Sequence, residues 1–449
     1  MLLLYRLLFP VALLAALPFY LPRMLRRGGY ARHFGQRLGW VPALPPRPAD
    51  ARRVWIHAVS VGELQALGPL LALLREEHPA MQIVMTTTTS TGYALAERKY
   101  GPYLTLLGYF PVDFWPISRR VWNRLQPDLC LLMEGEIWPE HLHQARLRGV
   151  PTVLINARLS ERSFRRWSAL PRAMREPFAM LSRIVTASEE DGRRFARLGI
   201  REDRIATSGN LKLDMTPAPI LDPGELEQLR RDLGLGPDLG LGLGLEAEGN
   251  RAACDDPARP LVLAGASTWP GEEEMLLRVV RKLTDHGLPC KLLLIPRHAE
   301  RRTELRDMLI KKTVDAHFRS TGPAKRPVDV AVADTTGEMI VLLQAADVVF
   351  VGKSMAPHKG GQNPIEAAAL GKPVLFGPNM QNFRAVVDSL LAANAGKVVR
   401  DEAEVFDAVE MLLRDKATRR NMGQAARSWH QAGKGATRRT VDAISRYMG

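Results

Sequence analysis

His57-Ala58-Val59-Ser60-Val61-Gly62-Glu63 is where one kind of local structure gives way to another. The apolar run Val54–Val59 that enters it has the length and residue types of a buried strand, and from Leu64 onward the apolar positions recur at helical spacing. Gly62 is expected to permit the sharp turn between the two. Glu63 therefore stands where the carboxyl end of a strand meets a helix start. In open α/β sheets that edge is where ligands bind. A Glu at a helix N-terminus also complements the helix dipole, so chemistry and helix capping both remain open readings of this carboxylate.

Outward from this point the alternation continues. Strands are expected at Gln82–Thr86, Leu129–Met133, Thr152–Ile155 and Ile184–Ala187, with helices near Leu64–Glu77 and through Tyr93–Tyr100. Regular βα alternation implies a parallel sheet covered on both faces. The rhythm lapses between Asp214 and Pro260. There Leu233–Leu245 repeats Leu-Gly and Glu246–Arg259 is mostly polar, the composition of a linker with a flexible low-complexity insertion. It resumes at Leu261–Ala264, Lys291–Ile295, Asp329–Val332, Val348–Val351 and Pro373–Phe376, and Glu402–Gly449 reads as helices. The expectation is an α/β protein of two Rossmann-like domains facing across a cleft. Residues 1–22 would form an N-terminal membrane anchor, 23–213 the first domain, 214–260 the linker, and 261–449 the second domain with its terminal helices. A cleft of this kind is a common home for a small ligand.

Composition narrows the function classes. At 449 residues the chain is too long for one ordinary core. A hydrophobic content of 46% excludes a mainly disordered protein. The net charge of +14 favours an anionic partner: nucleic acid, acidic lipid or a phosphorylated substrate. Cys130, Cys254 and Cys290 are too few and too far apart for a disulfide framework and fit a reducing compartment. No CxxC or Cys/His cluster suggests zinc.

Met1–Pro22 carries one charge, Arg6, and is followed by Arg23, Arg26, Arg27, Arg32 and Arg37. Charge behind the apolar run is the reverse of a cleaved signal peptide, and it places the body of the protein on the cytoplasmic side. The run is short for a full span and is interrupted by Pro10 and Pro18, so a span and a shallow interfacial anchor both stay open. The anchor is expected to share few contacts with either core. Leu159–Arg183 interleaves six arginines with Phe164, Trp167 and Phe178, which suits either a membrane interface or plain solvated helices.

The second half carries the sharper chemical signal. In Gly360-Gly361-Gln362-Asn363-Pro364-Ile365-Glu366 the paired glycines allow close backbone approach, Asn363 suits an N-cap and Pro364 the first helical position. Backbone N–H groups at such a start can bind a phosphate, and Glu366 can accept hydrogen bonds from ribose hydroxyls. Gly265-Ala266-Ser267-Thr268, Pro296-Arg297-His298 and Asp334-Thr335-Thr336-Gly337-Glu338 add polar groups at other strand ends. In the first half, Glu134 and Glu136 in Glu134-Gly135-Glu136-Ile137-Trp138-Pro139 are near neighbours, and a carboxylate pair can raise one pKa or orient a substrate. Helix N-terminal acidity before Pro139 is the other reading. Lys212 lies near the domain junction, where a cation could stabilise a phosphate or a carboxylated sugar.

Taken together these motifs resemble the Kdo transferases, which attach 3-deoxy-D-manno-octulosonic acid (Kdo) to lipid A precursors in lipopolysaccharide biosynthesis. The resemblance runs from the anchor through His57–Glu63, Met133–Pro139, Asn156–Ser160, Glu189–Gly192, Gly265–Thr268, Pro296–His298, Asp334–Glu338 and Gly360–Pro378. It implies the GT-B fold, CMP-Kdo as donor, a phosphorylated lipid A precursor (lipid IVA) as acceptor, and inversion at the anomeric carbon. It also implies the cytoplasmic side of the inner membrane and no metal or cofactor. By the resemblance Glu63 is the general base, and Glu134 and Lys212 stabilise the transition state. Pro296, Arg297, Thr336, Gly337, Glu338, Asn363, Pro364, Ile365 and Glu366 match the CMP-contacting segments. The chain departs from the family where Gly135 and Thr336 stand in place of Thr and Met, and where Lys353, Pro357, His358 and Lys359 modify the approach to Gly360.

Two rivals are weighed beside it. A GT-B transferase using a nucleoside-diphosphate sugar would share the Asn363–Glu366 signature and would be inhibited by UDP rather than CMP. A basic, membrane-tethered nucleic-acid-binding protein would share the charge, but no recognition motif supports it and no nucleic acid is expected as a partner.

Overall fold

Every strand expected from an apolar run forms, and all pair in parallel. A computed structural model describes residues 2–27, 33–48, 50–171, 175–215, 220–236 and 259–448. The chain divides into two units. One runs from the N-terminus to Thr216 and takes back Gly433–Gly449, and the other is Pro217–Ala432.

The first unit holds β1 (Arg53–His57), β2 (Gln82–Thr87), β3 (Leu106–Tyr109), β4 (Leu129–Met133), β5 (Thr152–Ala157), β6 (Arg183–Thr186) and β7 (Ile205–Thr207). Their order is β3-β2-β1-β4-β5-β6-β7. The chain builds outward from β1 to β3, then returns to lay β4 on the other side of β1. The topological switch point, where loops diverge and leave room for a ligand, is thus at the carboxyl ends of β1 and β4. Residues of β1, β2 and β4 are buried throughout, as a sheet covered on both faces requires.

The second unit holds β8 (Leu261–Thr268), β9 (Cys290–Pro296), β10 (Ala316–Phe318), β11 (Val330–Val332), β12 (Val348–Val351), β13 (Val374–Phe376) and β14 (Gly396–Val398), ordered β10-β11-β9-β8-β12-β13-β14. Its switch point lies between β8 and β12. Gly352, Ser267 and Thr268 crowd there: a Cβ on Gly352 would meet the Ser267 carbonyl at 2.5 Å.

Several expectations change. The turn after β1 does not need Gly62. The helix Val61–Glu77 has already begun, and Ser60 caps it by accepting from the Glu63 N–H. The boundaries shift as well. Pro223–Asp232, placed in the linker, is a helix of the second unit with a full capping box at Asp222 and Glu225, and Leu233 and Leu235 are buried. The rest of the low-complexity insertion, 237–258, lies outside the described residues. The last helix, Ala436–Ser445, packs on Val61–Glu77 in the first unit, because Val441, Ile444 and Met448 complete that unit's core. Asp214 ties it down by accepting from the Gly435 and Thr437 N–H groups.

The N-terminal segment is a helix, Leu2–Arg27, but no helix among the described residues is long and apolar enough to cross a membrane. Nor is it separate from the core. Arg6 makes a two-point ion pair with Glu140 at 2.8 and 2.9 Å, and Tyr5 donates to Asp113 at 2.7 Å. The aromatics of the basic segment also turn inward. Phe164 and Phe178 are buried and Trp167 packs edge-on against Phe178, so they serve the core, not an outer aromatic face. Residues 172–174 of that segment are outside the described residues.

Candidate active site

At the switch point of the first unit the expected residues come together. Glu63 occupies the first turn of Val61–Glu77. Its carboxylate accepts from the Val59 N–H and the Ser60 hydroxyl, both at 2.9 Å. The two readings of Glu63 are therefore compatible: it braces the helix start and remains a carboxylate at the strand edge. It is only 7% exposed. Burial raises its pKa, and the Glu134 charge raises it further, while the Val59 and Ser60 hydrogen bonds and the Lys212 charge pull the other way. The result is a carboxylate with more appetite for a proton than one in water.

Glu134 follows β4 with φ of 54°, a left-handed conformation uncommon for a side-chain-bearing residue. Its N–H donates to the Ile155 carbonyl and its own carbonyl accepts from the Arg158 N–H, so the turn is held from β5. Lys212 reaches Glu134 at 2.9 Å. The lysine is placed by two asparagines: Asn156 accepts from the Leu211 N–H and Asn210 from the Lys212 N–H. Asn156 opens one of the segments that carry the resemblance, but the role of either asparagine in placing Lys212 was not visible in the sequence.

Glu136 completes the cluster. It accepts from the Trp138 indole at 2.9 Å, and burial, followed by the Glu63 and Glu134 charges, pushes its pKa up to about 7. Beneath it lies His57, the last residue of β1, fully buried and stacked on Phe110 with ring centroids 3.7 Å apart. Burial lowers the His57 pKa to about 3, so the imidazole is neutral and its 3.9 Å approach to Glu136 is not an ion pair.

In the second unit the remaining candidates gather at the carboxyl ends of β8, β9, β11 and β12. The short helix Ile365–Ala369 starts one residue later than expected, with Pro364 as its N-cap; Asn363 stands just before it and its side chain accepts from the Ile365 N–H at 3.2 Å. Gly361 has φ of 72°, and a Cβ there would strike the Met380 sulfur at 2.3 Å, so glycine is required. Glu366 receives a long contact from Asn363 at 3.4 Å, while its Oε2 is buried with no partner among the described residues. Burial pushes its pKa up to about 7 against the opposing pull of Asn363 and the Arg297 charge. Arg297 is exposed and held by its backbone N–H to Thr268, and Pro296 ends β9. Glu338 accepts from Thr335 and lies 3.4 Å from Arg319; Gly337 beside it has φ of 88°, and Thr336 is exposed.

One residue escaped sequence reasoning altogether. Glu272, 2% exposed, accepts backbone N–H groups from Trp269, Lys353, Ser354 and Met355 at 2.7 to 3.2 Å. It staples the loop after β12 to the end of β8. In the sequence it was masked by the Glu272-Glu273-Glu274 run, which reads as ordinary first-turn acidity.

Comparison with known proteins follows the same lines. Residues 32–215 match the family model described as 3-deoxy-D-manno-octulosonic-acid transferase (kdotransferase). A 3-deoxy-D-manno-octulosonic acid transferase of Bordetella pertussis is 36% identical over 437 residues, covering 95% of each chain. One of Haemophilus influenzae is 31% identical over 421 residues, covering 93% of this chain and 92% of its own. Among solved structures, UDP-GlcNAc 2-epimerase from Neisseria meningitidis aligns with a TM-score of 0.59 over 88% of this chain and all of its own, at 13% identity, a likeness of fold alone.

Proposed function

The chain belongs to the 3-deoxy-D-manno-octulosonic acid transferase family, and with that as premise we propose that it moves Kdo from CMP-Kdo to lipid IVA, with inversion, on the cytoplasmic side of the inner membrane. It is a glycosyltransferase of lipopolysaccharide biosynthesis with two parallel-sheet α/β units resembling the GT-B fold. In the proposed reaction an acceptor hydroxyl oxygen bonds to the anomeric carbon as the bond from that carbon to the CMP phosphate breaks. The hydroxyl proton passes to Glu63, and CMP departs with the bonding electrons.

The observation that carries this reading is the setting of Glu63. It is a buried carboxylate at a strand edge, braced by two hydrogen bonds, with its proton affinity raised by burial and by Glu134. The Lys212–Glu134 pair supplies a fixed cation beside it, and a preorganised cation stabilises charge that develops in the transition state. In the second unit the unpartnered Glu366 Oε2 suits a ribose hydroxyl, and Arg297, Thr336–Glu338 and Asn363–Ile365 surround the nucleotide in this reading. A nucleoside monophosphate can leave against fixed cations, so the scheme calls for no metal or cofactor. The exposed Leu3, Leu4, Leu7, Val11 and Leu14 of Leu2–Arg27 suit an interfacial anchor among lipid headgroups.

The test is incubation of the purified full chain with CMP-Kdo and tetraacyl lipid A precursor, with products identified by mass. Transfer is expected with the wild type. Glu63→Gln is expected to lose about 10²–10⁴-fold in rate, the usual contribution of a general base, while CMP still binds. Turnover near normal in that variant would remove Glu63 from the role.

A further inference from the structure

We propose that Glu136 is a positioning residue that works in its protonated form, donating its carboxyl hydrogen to the bare Nε2 of His57. The proposal rests on the reading of Glu63 as general base.

The geometry begins at His57. Its Nδ1 lies 3.0 Å from the Thr86 carbonyl oxygen, which can only accept, and 3.2 Å from the Thr86 hydroxyl, which can donate or accept; a bare Nδ1 would set its lone pair against the carbonyl, so the closer contact assigns the hydrogen to Nδ1 and leaves Nε2 as a lone pair. That Nε2 is buried and has no hydrogen-bond partner among the described residues. A buried acceptor of this kind is rarely left unpaired. Glu136 lies close to it, with its Oε2 3.9 Å away. An ionised carboxylate cannot satisfy the ring nitrogen, because it too offers only lone pairs. A protonated one can, by closing the gap through a small side-chain movement.

Charge around the site favours the same state. Glu63 faces Glu136 from the helix Val61–Glu77, and Glu134 faces it from its own loop. Lys212, from the turn Leu211–Asp214, is committed to Glu134. His141, from the helix Pro139–Leu147, bears on His57 and disfavours a charge there. Among these described groups three carboxylates thus face one ammonium. Protonating Glu136 removes the surplus negative charge least well compensated, and leaves Glu63 ionised to receive the acceptor's proton. It also keeps the site from repelling a donor that is itself an anion.

The experiment is the pH dependence of transfer in the full chain for wild type, Glu136→Gln and Glu136→Ala, with Glu63→Gln as reference. Relative to Glu136→Gln at each pH, the wild type should lose activity as pH rises through the titration of Glu136, near 7, chiefly as a rising KM for CMP-Kdo, the titration of Glu366 being common to both proteins. Glu136→Gln keeps a hydrogen for His57 and cannot ionise. It should hold the wild-type maximal rate and lack the alkaline decline. Glu136→Ala should also lack the decline but lose thermal stability relative to Glu136→Gln, because Nε2 stays unpaired. The infrared difference spectrum of wild type minus Glu136→Gln should contain, below pH 7, a protonated carboxyl C=O band that fades above it, a band to which Glu366, common to both proteins, does not contribute. The proposal is overturned if Glu136→Gln keeps the alkaline decline, if it loses ~10²-fold or more in rate like a missing acid or base, or if the band is absent. If Glu63→Gln transfers normally, the base assignment fails on its own account, whatever Glu136 does.

Discussion

Glu63 and Glu366 are both carboxylates in the first turn of a helix, yet their surroundings differ. Glu63 is held by two donors and sits near a lysine. Glu366 keeps one buried oxygen without a partner, and its pKa is pushed up to about 7 by burial. If that oxygen receives ribose hydroxyls, the ionised form is the one that binds. CMP affinity should then rise as pH rises through 7, and binding at or below that pH should release a proton. Calorimetry in buffers of different ionisation enthalpy measures the release. Glu366→Gln should abolish it and weaken CMP by roughly 1.5–3 kcal/mol, the worth of a charged hydrogen bond. A proton count that is the same in the variant would exclude Glu366 from the nucleotide site. At this scale much was legible beforehand: the candidate carboxylates were visible beside a strand end or at a helix start. The partners that place the surrounding groups were not, because Asn156 and Glu272 act on residues distant in sequence.

Element by element, the strands that eluded the sequence have one thing in common. β3, β7, β10 and β14 are the outer strands of the two sheets, each only three or four residues long and partly exposed. A central parallel strand is covered on both faces and must be apolar throughout; an edge strand is under no such demand, so it leaves no apolar run to read. The N-terminal helix differs from expectation for a different reason. Its apolar length was evident, but its ion pair with Glu140 joins residues 134 apart. Glu140 has no exposed side-chain surface, while Arg6 keeps 25%. Arg6→Ala should therefore cost roughly 3 kcal/mol, the low end for breaking a buried pair. That corresponds to a fall of about 2–4 °C in Tm per kcal/mol for a unit of this size. Arg6→Met with Glu140→Met should recover most of the loss. A single Arg6→Ala variant as stable as the wild type, by calorimetry, would mean that the helix does not depend on this tie.

At the scale of the whole molecule the return of Gly433–Gly449 to the first unit matters most. Ile444 is fully buried in that unit's core. Ile444→Ala should cost about 2–5 kcal/mol. Ending the chain at Ala432 should destabilise the first unit while sparing the second, an asymmetry that limited proteolysis with mass mapping would reveal as early cleavage within residues 50–215. Equal susceptibility of both units would contradict the assignment. The sequence by itself determined the α/β class, the two parallel sheets, the central strands and the loops that hold the candidate residues. These follow from local demands: apolar runs for covered strands, caps and glycines for turns. Only the tertiary structure decided which loops share a switch point, which unit the last helix completes, and which neighbour holds each carboxylate. Strand order and side-chain pairing join residues tens to hundreds of positions apart, and the energies that select among them come from packing and burial, to which no single stretch of chain is privy.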